Sequence, residues 1–140
     1  MTGTHTDSPM RQSRVAGGEL CEEISRSLVQ VYKEHFGKGP TKARTYIADD
    51  LVVCLLEGGF WKGEQTLRDH GRGDAVAQSR HAFQESLRTL FVSTVEGLVE
   101  RRVVGFLSAV DPDTEMSAEM FVLAPAEPDS RSQSRLLRRQ

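Results

Sequence analysis

A chain of 140 residues with a formal net charge of −2 has room for one domain with a modest hydrophobic core. Its 38% hydrophobic and 27% charged residues are typical of a globular protein in water. The longest aliphatic run, Leu51 to Leu56, is far shorter than the roughly 20 residues that span a bilayer. Residues 1–14 lack the apolar segment of a secretory signal. We therefore expect a cytoplasmic protein with no transmembrane segment.

The charges are unevenly distributed along the chain. Residues 17–124 carry 12 Lys and Arg against 17 Asp and Glu, a net charge of −5, whereas the two ends carry six Arg and three acids, a net of +3. An acidic central part argues against binding to a nucleic-acid backbone, which requires a basic face. Both ends are polar and have no hydrophobic periodicity. We therefore predict a disordered tail at residues 1–16, one domain at residues 17–125, and a disordered basic tail at residues 126–140.

The first half of the domain reads as a helix followed by two strands. Apolar residues at helical spacing from Leu20 to Val31 predict a helix from about Gly18 to Phe36. A basic loop rich in glycine and proline follows, and Asp49-Asp50 separates two β-prone runs, at residues 44–48 and 51–56. The second run, Leu51 to Leu56, is apolar at every position, so both faces of this strand require cover.

The second half repeats this order. Residues 64–68 are expected to form a short helical turn. Phe60 and Trp61 are expected to cover the core, with an exposed docking site as the alternative. Asp74 is the expected N-cap of a long helix that ends near Leu98, and Arg80, which interrupts its apolar stripe, is expected to reach solvent. Two further strands, at residues 103–110 and 117–123, are joined by a turn at residues 111–113.

The element order predicts an α+β fold. It is an αββαββ two-layer sandwich, in which two helices pack on one face of a four-stranded, mostly antiparallel sheet. Helices on one face leave the other face bare, although the strands are apolar on both sides. We therefore expect a homodimer, or a larger even assembly, built on the sheet face away from the helices.

Four segments of the domain resemble the MpsC-type family. They are Gly37-Lys-Gly-Pro-Thr-Lys-Ala-Arg-Thr-Tyr46, Leu56-Glu-Gly-Gly59, Arg80 to Gln84, and Phe106-Leu-Ser108 through Asp111-Pro-Asp113. The resemblance extends over about residues 20–125. The family name refers to a sodium-translocating, membrane-potential-generating system, and the resemblance therefore implies a membrane-protein partner. It carries over no catalytic residues. The chain departs from the family at Phe60-Trp61-Lys62, where a Thr-Pro helix start is usual, and at Glu100, where glycine is common.

The basic loop is the best candidate for a binding site. Lys38, Lys42 and Arg44, with the backbone N–H groups around Gly37, Gly39 and Thr41, are arranged so that they could hold an anion or an acidic patch of a partner. The simpler interpretation is a tight helix-to-strand connection with solvated lysines. A phosphate-binding P-loop is excluded, because that motif needs a strand before the loop and a helix after it. Glu57, beside two glycines, is the candidate functional carboxylate, with a solvated strand-end residue as the alternative.

No residue pattern predicts catalysis. The sequence offers no Cys or His spacing for a metal site, no cofactor motif, and no nucleophile paired with a base. Three classes of function remain: a soluble accessory or regulatory subunit of a membrane ion-handling system, a dimeric regulator that binds a small anion or metabolite, and an enzyme. We expect the first, with no enzymatic activity and either a cytoplasmic location or a peripheral one at the inner face of the membrane.

Overall fold

The structure is a computed structural model that describes residues 9–126, with side chains from residue 17 onward. Its helices and strands follow one another as α1 (Pro9–Phe36), β1 (Lys42–Ala48), β2 (Leu51–Glu57), α2 (Lys62–Asp69), α3 (Gly73–Ser86), α4 (Arg88–Val99), β3 (Val103–Asp111) and β4 (Met116–Leu123). None of the described helices is long and apolar enough to cross a membrane.

Helix α1 begins earlier than the sequence predicts. It starts at Pro9 rather than near Gly18, so residues 9–16 of the predicted disordered tail are helical. Proline is well suited to the first turn of a helix, because its φ angle is already helical and its missing N–H would have no partner there. The remaining predicted tail residues, 1–8 and 127–140, lie outside the described residues.

The four strands form one antiparallel sheet in the order β1-β2-β4-β3. The prediction of an α+β fold with a four-stranded antiparallel sheet is thereby confirmed. The two hairpins lie side by side and join through β2 and β4, where Leu51 pairs with Val122 and Glu57 with Met116. A register shift between Val103 and Gly105 marks a bulge near the start of β3.

The core lies between the helices and one face of the sheet, which we call the inner face. Alternate residues of β2 and β4 point to it, as expected from the two-residue period of a strand. From the helices the core receives Ile24, Leu28, Val31, Tyr32, Phe36, Phe91 and Val95, and from the strands Val52, Cys54, Leu56, Phe106, Phe121 and Leu123. Burial raises the pKa of the Cys54 thiol to about 11, so this cysteine is protonated at neutral pH.

The predicted long helix is two helices, α3 and α4, with a break at Leu87. Leu87 has φ −98° and ψ 8°, outside the helical range. The break shifts which side faces the core: Val76, Arg80, Gln84, Phe91 and Val95 are buried, whereas Phe83 and Leu90 of the predicted apolar stripe are exposed. The prediction that Arg80 reaches solvent is wrong, since this residue is buried.

The structure tests three local predictions in the segment around α2. The predicted short helical turn is present as α2. Phe60 is buried as predicted, whereas Trp61 is exposed. Helix α3 begins at Gly73, so Asp74 lies inside its first turn and is not the N-cap; its carboxylate accepts a hydrogen bond from Arg72 Nε at 3.2 Å.

The second face of the sheet, here called the outer face, is not covered by any described residue. Its apolar members on the two central strands are half-buried or slightly exposed, and those on the edge strands are strongly exposed. Tyr46 is 55% exposed, Val104 56% and Leu107 56%. The outer face is formed by Lys42, Arg44, Tyr46, Ala48, Leu51, Val53, Leu55, Glu57, Val104, Gly105, Leu107, Ala109, Asp111, Met116, Ala118, Met120 and Val122.

Helix α4 ends at Glu100, which lies in the left-handed region with φ 57° and ψ 38°. An L-residue in this region carries a steric cost that glycine does not. We predict that Glu100→Gly raises the free energy of unfolding by about 1 kcal/mol, measured by urea denaturation. Glu100→Ala is the matched control, because it removes the same charge and retains the Cβ. Equal stability of the two variants would show that the backbone strain is absent.

Candidate functional site

The basic loop, Gly37–Lys42, is held closely against the end of β2. Backbone N–H and Oγ1 of Thr41 both donate to the carbonyl of Glu57, at 2.9 and 3.2 Å. A Cβ on Gly59 would lie 2.6 Å from the carbonyl oxygen of Gly39, and Gly59 has φ +81°. No other residue type fits this approach of two backbones, so the loop has a clear structural role.

The three predicted basic side chains do not converge on one point. Lys38 Nζ donates to the carbonyl of Phe60 at 3.2 Å. Lys42 and Arg44 lie on the outer face, where the guanidinium of Arg44 is 3.6 Å from the carboxylate of Glu57. The loop therefore divides its charge between the connection to α2 and the outer face.

Glu57, the predicted functional carboxylate, lies at the end of the outer face. It pairs in register with Lys42 across the β1–β2 hairpin, and its side chain is about one-third exposed. Lys42 lies directly opposite Glu57 on β1, and Arg44 lies two residues further along the same strand. This arrangement makes Glu57 part of a small charged group with Lys42 and Arg44 at one end of the outer face.

A buried ion pair anchors the segment after Gly59. Arg80 donates from Nε to Glu64 Oε2 at 2.7 Å and from Nη2 to Glu64 Oε1 at 2.9 Å, a bidentate arrangement. Its guanidinium lies 3.7 Å from the centre of the Phe60 ring. The backbone N–H of Trp61 also donates to Glu64 Oε1, at 2.8 Å. Arg80 therefore joins α2, α3 and the Gly59 carbonyl, which accepts from Nη2 at 3.2 Å.

A second ion pair ties the turn before β4 to α2. Glu115 Oε2 accepts from Arg68 Nη1 at 2.8 Å and from Gln65 Nε2 at 3.0 Å. Partial burial of Glu115 disfavours its charged form, but the hydrogen bonds from Arg68 and Gln65 lower its pKa below the usual value. The backbone of the same residue accepts from Gly58 N at 2.8 Å. One end of the sheet is thus fixed by polar contacts to α2.

A polar cluster of Tyr32, Gln84 and Glu119 lies inside the core. Glu119 is fully buried on the inner face of β4. Its Oε2 accepts from the Tyr32 hydroxyl at 2.6 Å and from Gln84 Nε2 at 2.8 Å. Among the described residues, Glu119 Oε1, Gln84 Oε1 and the Ser108 hydroxyl have no hydrogen-bond partner. Ser108 is directly opposite Glu119 in the β3–β4 register.

Burial raises the pKa of Glu119 to about 7, against the lowering effect of the hydrogen bonds from Tyr32 and Gln84. Burial also raises the pKa of Tyr32 well above its usual range, and the neighbouring carboxylate adds to this shift. The Glu119 carboxyl therefore changes its charge near neutral pH. The cluster is buried in the core, so a change in the charge of Glu119 acts on the stability of the fold.

The sequence analysis missed both Arg80 and Glu119 as interior residues. Strand β4 alone gave no signal for Glu119, because the opposite side of the strand, with Met116, Ala118, Met120 and Val122, is apolar throughout. Arg80 and Gln84 lie one helical turn apart on the side that also carries Val76. For Arg80 the available signal was its position within the apolar stripe.

Two open grooves flank the sheet. One, of about 380 Å³, lies between α4 and the bulged start of β3. The other, of about 480 Å³, lies between α1 and β1 and is lined by Cys21, Ser25 and Thr45 among others. The described residues contain no group of three or more His, Cys, Asp or Glu that could hold a metal ion.

These features define an α+β protein whose polar contacts are concentrated at one end of an open sheet. A family model described as Na+-translocating membrane potential-generating system (MpsC) matches residues 16–125. The chain belongs to the MpsC family, as the resemblance predicted. No curated protein and no solved structure matches it.

The basic loop can be tested by replacing its two exposed lysines. We predict that Lys38→Ala/Lys42→Ala remains folded, with a free energy of unfolding within about 1 kcal/mol of the wild type, because surface substitutions rarely cost more. If the loop binds anions, phosphate should raise the Tm of the wild type and not that of the variant. Lys62→Ala, an exposed lysine on α2, is the control. An unfolded double variant would show that the lysines are structural.

The raised pKa of Glu119 predicts a pH-dependent stability. Between pH 4.5 and about 7 the unfolded chain releases this proton and the folded chain keeps it, so stability falls as pH rises. The loss is about 1.4 kcal/mol per pH unit, or roughly 3 kcal/mol over the window. Glu119→Gln should remove this slope and be more stable than the wild type at pH 8. Glu23→Gln, at an exposed position on α1, should keep it; equal slopes in all three proteins would contradict the assignment.

Proposed function

We propose that the chain is a soluble, non-catalytic accessory or regulatory subunit of the sodium-translocating, membrane-potential-generating system that its family name describes. In this proposal it works in the cytoplasm, or peripherally at the inner face of the membrane, as a homodimer that binds a membrane-protein partner. The observation that carries the proposal is the outer face of the sheet. A broad apolar surface of this kind is suited to binding another protein surface.

The energetic argument rests on the exposed side chains. Tyr46, Val104 and Leu107 are each more than half exposed, and Leu51 and Val122 are more than one-third exposed, all on one face. Burying a large apolar side chain contributes about 1.5–3 kcal/mol relative to leaving it in water. Contiguous apolar patches of this kind on a single chain mark interaction sites. Self-association would bury them without requiring any further gene product.

The role as a subunit is supported by the family description, which names a translocating system. Ion movement across a bilayer requires a segment that satisfies its own backbone within the hydrocarbon, and that task belongs to a partner in this proposal. The chain contributes binding: the outer face for its second copy, and its remaining surface for the membrane protein.

A dimeric regulator that binds a small anion or metabolite is the second candidate. It is favoured by the exposure of Lys38 and Lys42 beside the backbone of the basic loop. The division of the loop's cations, with Arg44 beside Glu57, weakens it, because the net positive charge at any one point is small. A thermal-shift screen of metabolites separates the two candidates.

We predict that the wild-type chain sediments as a dimer at micromolar concentration and co-purifies with a multi-spanning protein from native membranes in mild detergent. Leu107→Lys should make it a folded monomer, because the charge would lie in the apolar interface. The matched control is Leu67→Lys, which changes an exposed leucine on α2, away from the outer face.

Two outcomes oppose the proposal. A wild-type monomer that binds no dye for exposed apolar surface would remove the dimer. A protein that stays in the soluble fraction whether or not the membrane partner is present, and that turns over a small substrate, would favour an enzyme.

A further inference from the structure

We infer that the second copy packs face to face on the outer face, about a two-fold axis that runs parallel to the strands. This inference rests on the proposed homodimer and adds its orientation. Strand β1 of one copy then lies over β3 of the second copy, and β2 lies over β4. The sheet order β1-β2-β4-β3 makes these two pairings symmetric about the middle of the sheet.

The outer face has a polarity gradient along the strands. The strand registers divide it into four rows that each cross all four strands. From one end to the other they are Ala48–Leu51–Val122–Gly105, Tyr46–Val53–Met120–Leu107, Arg44–Leu55–Ala118–Ala109 and Lys42–Glu57–Met116–Asp111. The first two rows carry no charge and the last carries three. One end of the face is thus apolar and the other is charged.

This gradient decides between the two axes, parallel to the strands and across them, that keep the strands of the two sheets aligned. An axis parallel to the strands keeps each row on the same row of the second copy, so apolar rows meet apolar rows. An axis across the strands reverses the rows and places Asp111 over the apolar bulge at Val104, where it has no basic partner. Desolvating a carboxylate against an apolar side chain without a partner is strongly unfavourable. Glu57 faces an apolar side chain about either axis, Leu51 or Met116, and keeps Arg44 at 3.6 Å within its own copy. Asp111 therefore decides, because only the axis parallel to the strands places a basic residue over it.

The same axis pairs opposite charges at the two edges. It reverses the order of strands, so Lys42 on edge strand β1 lies over Asp111 on edge strand β3 of the second copy, and the symmetry repeats the contact. Both groups also have partners within their own copy. Lys42 lies opposite Glu57 in the β1–β2 register. Asp111 accepts hydrogen bonds from Asp113 N and from the Thr114 hydroxyl within its own turn. An exposed carboxylate retains capacity for a further partner.

The size of the face lies close to the lower limit for a specific dimer. Four strands at about 4.8 Å spacing and seven residues at about 3.3 Å each give a footprint of about 19 Å by about 23 Å. Two copies that pack on this footprint therefore bury roughly 900 Å² in total if both faces are treated as flat. Specific interfaces begin near about 1,000–1,200 Å² in total. The whole outer face, including its charged end, is consequently needed.

A charge-reversal cycle tests the orientation. Lys42→Glu places a carboxylate over Asp111 of the second copy, and Asp111→Lys places an ammonium over Lys42. Each single variant should weaken the dimer about tenfold by sedimentation, because like charges then face each other twice. The double variant should return to within about threefold of the wild type, since opposite charges face again. Lys62→Glu, on α2, is the control and should change nothing.

Crosslinking gives a readout that does not depend on stability. In a Cys21→Ser background, protein with Tyr46→Cys is mixed with protein with Leu107→Cys and treated with a thiol crosslinker of about 10 Å reach. Within one sheet these positions are about 14 Å apart, whereas facing sheets are about 10 Å apart. The mixture should give crosslinked dimers, and neither protein alone should do so.

The outcomes separate the two proposals. A wild-type monomer overturns both the proposed homodimer and this orientation. Two other results would keep the homodimer and overturn the axis parallel to the strands. In the first, the wild type is a dimer but the Leu107→Cys protein crosslinks to itself. In the second, the wild type is a dimer but the double charge variant dimerises as weakly as the single variants. Thermal denaturation of each charge variant shows that it is folded; if either single variant is unfolded, the crosslinking result alone decides.

Discussion

The structure depends on one constraint: a four-stranded sheet is apolar on both faces, but its helices lie on one side. The inner face supplies the core, with Val52, Leu56 and Phe121 fully buried or nearly so. The opposite sides of the same strands present Leu51, Val53 and Leu55 to the outer face. Because successive residues of a strand point to opposite faces, the described helices, which lie on one side, bury only one of the two sets. The dimer we propose resolves this constraint.

At the end of the sheet next to α2, polar contacts rather than apolar burial hold the elements together. Gly59 allows two backbones to approach, and the Arg80–Glu64 pair fixes the segment that follows. A buried arginine with a bidentate carboxylate is costly to break, because the remaining partner would be an unpaired buried charge. The basic loop is packed into this arrangement. Its lysines are therefore placed by a rigid support whether or not they bind an anion.

The sequence alone was sufficient for the elements with strong periodicity. Helical periodicity, and β-prone runs bounded by turn residues, identified the elements and the α+β class. The sequence could not show the break at Leu87, because no Pro or Gly, the residues that usually mark a kink, lies beside it. Glu100, at a position where glycine is common in the family, adopts a left-handed conformation. This difference from the family therefore marked a position with an unusual backbone conformation. The interior positions of Arg80 and Glu119 depend on partners distant in sequence, Glu64 and Tyr32, which no local pattern identifies.

Strand β4 connects the buried carboxyl with the proposed interface. Glu119 points into the core, and its neighbours Ala118 and Met120 point to the outer face. As pH rises from 4.5 to about 7, the raised pKa of Glu119 removes roughly 3 kcal/mol of stability, because the folded chain keeps a proton that the unfolded chain releases. A partner that binds the folded chain alone, present at 100 times its Kd, contributes about 2.7 kcal/mol. The two effects are of similar size, so association on the outer face would offset the loss of stability caused by Glu119. If the proposed homodimer forms, the stability of this fold at neutral pH depends on the concentration of the chain itself.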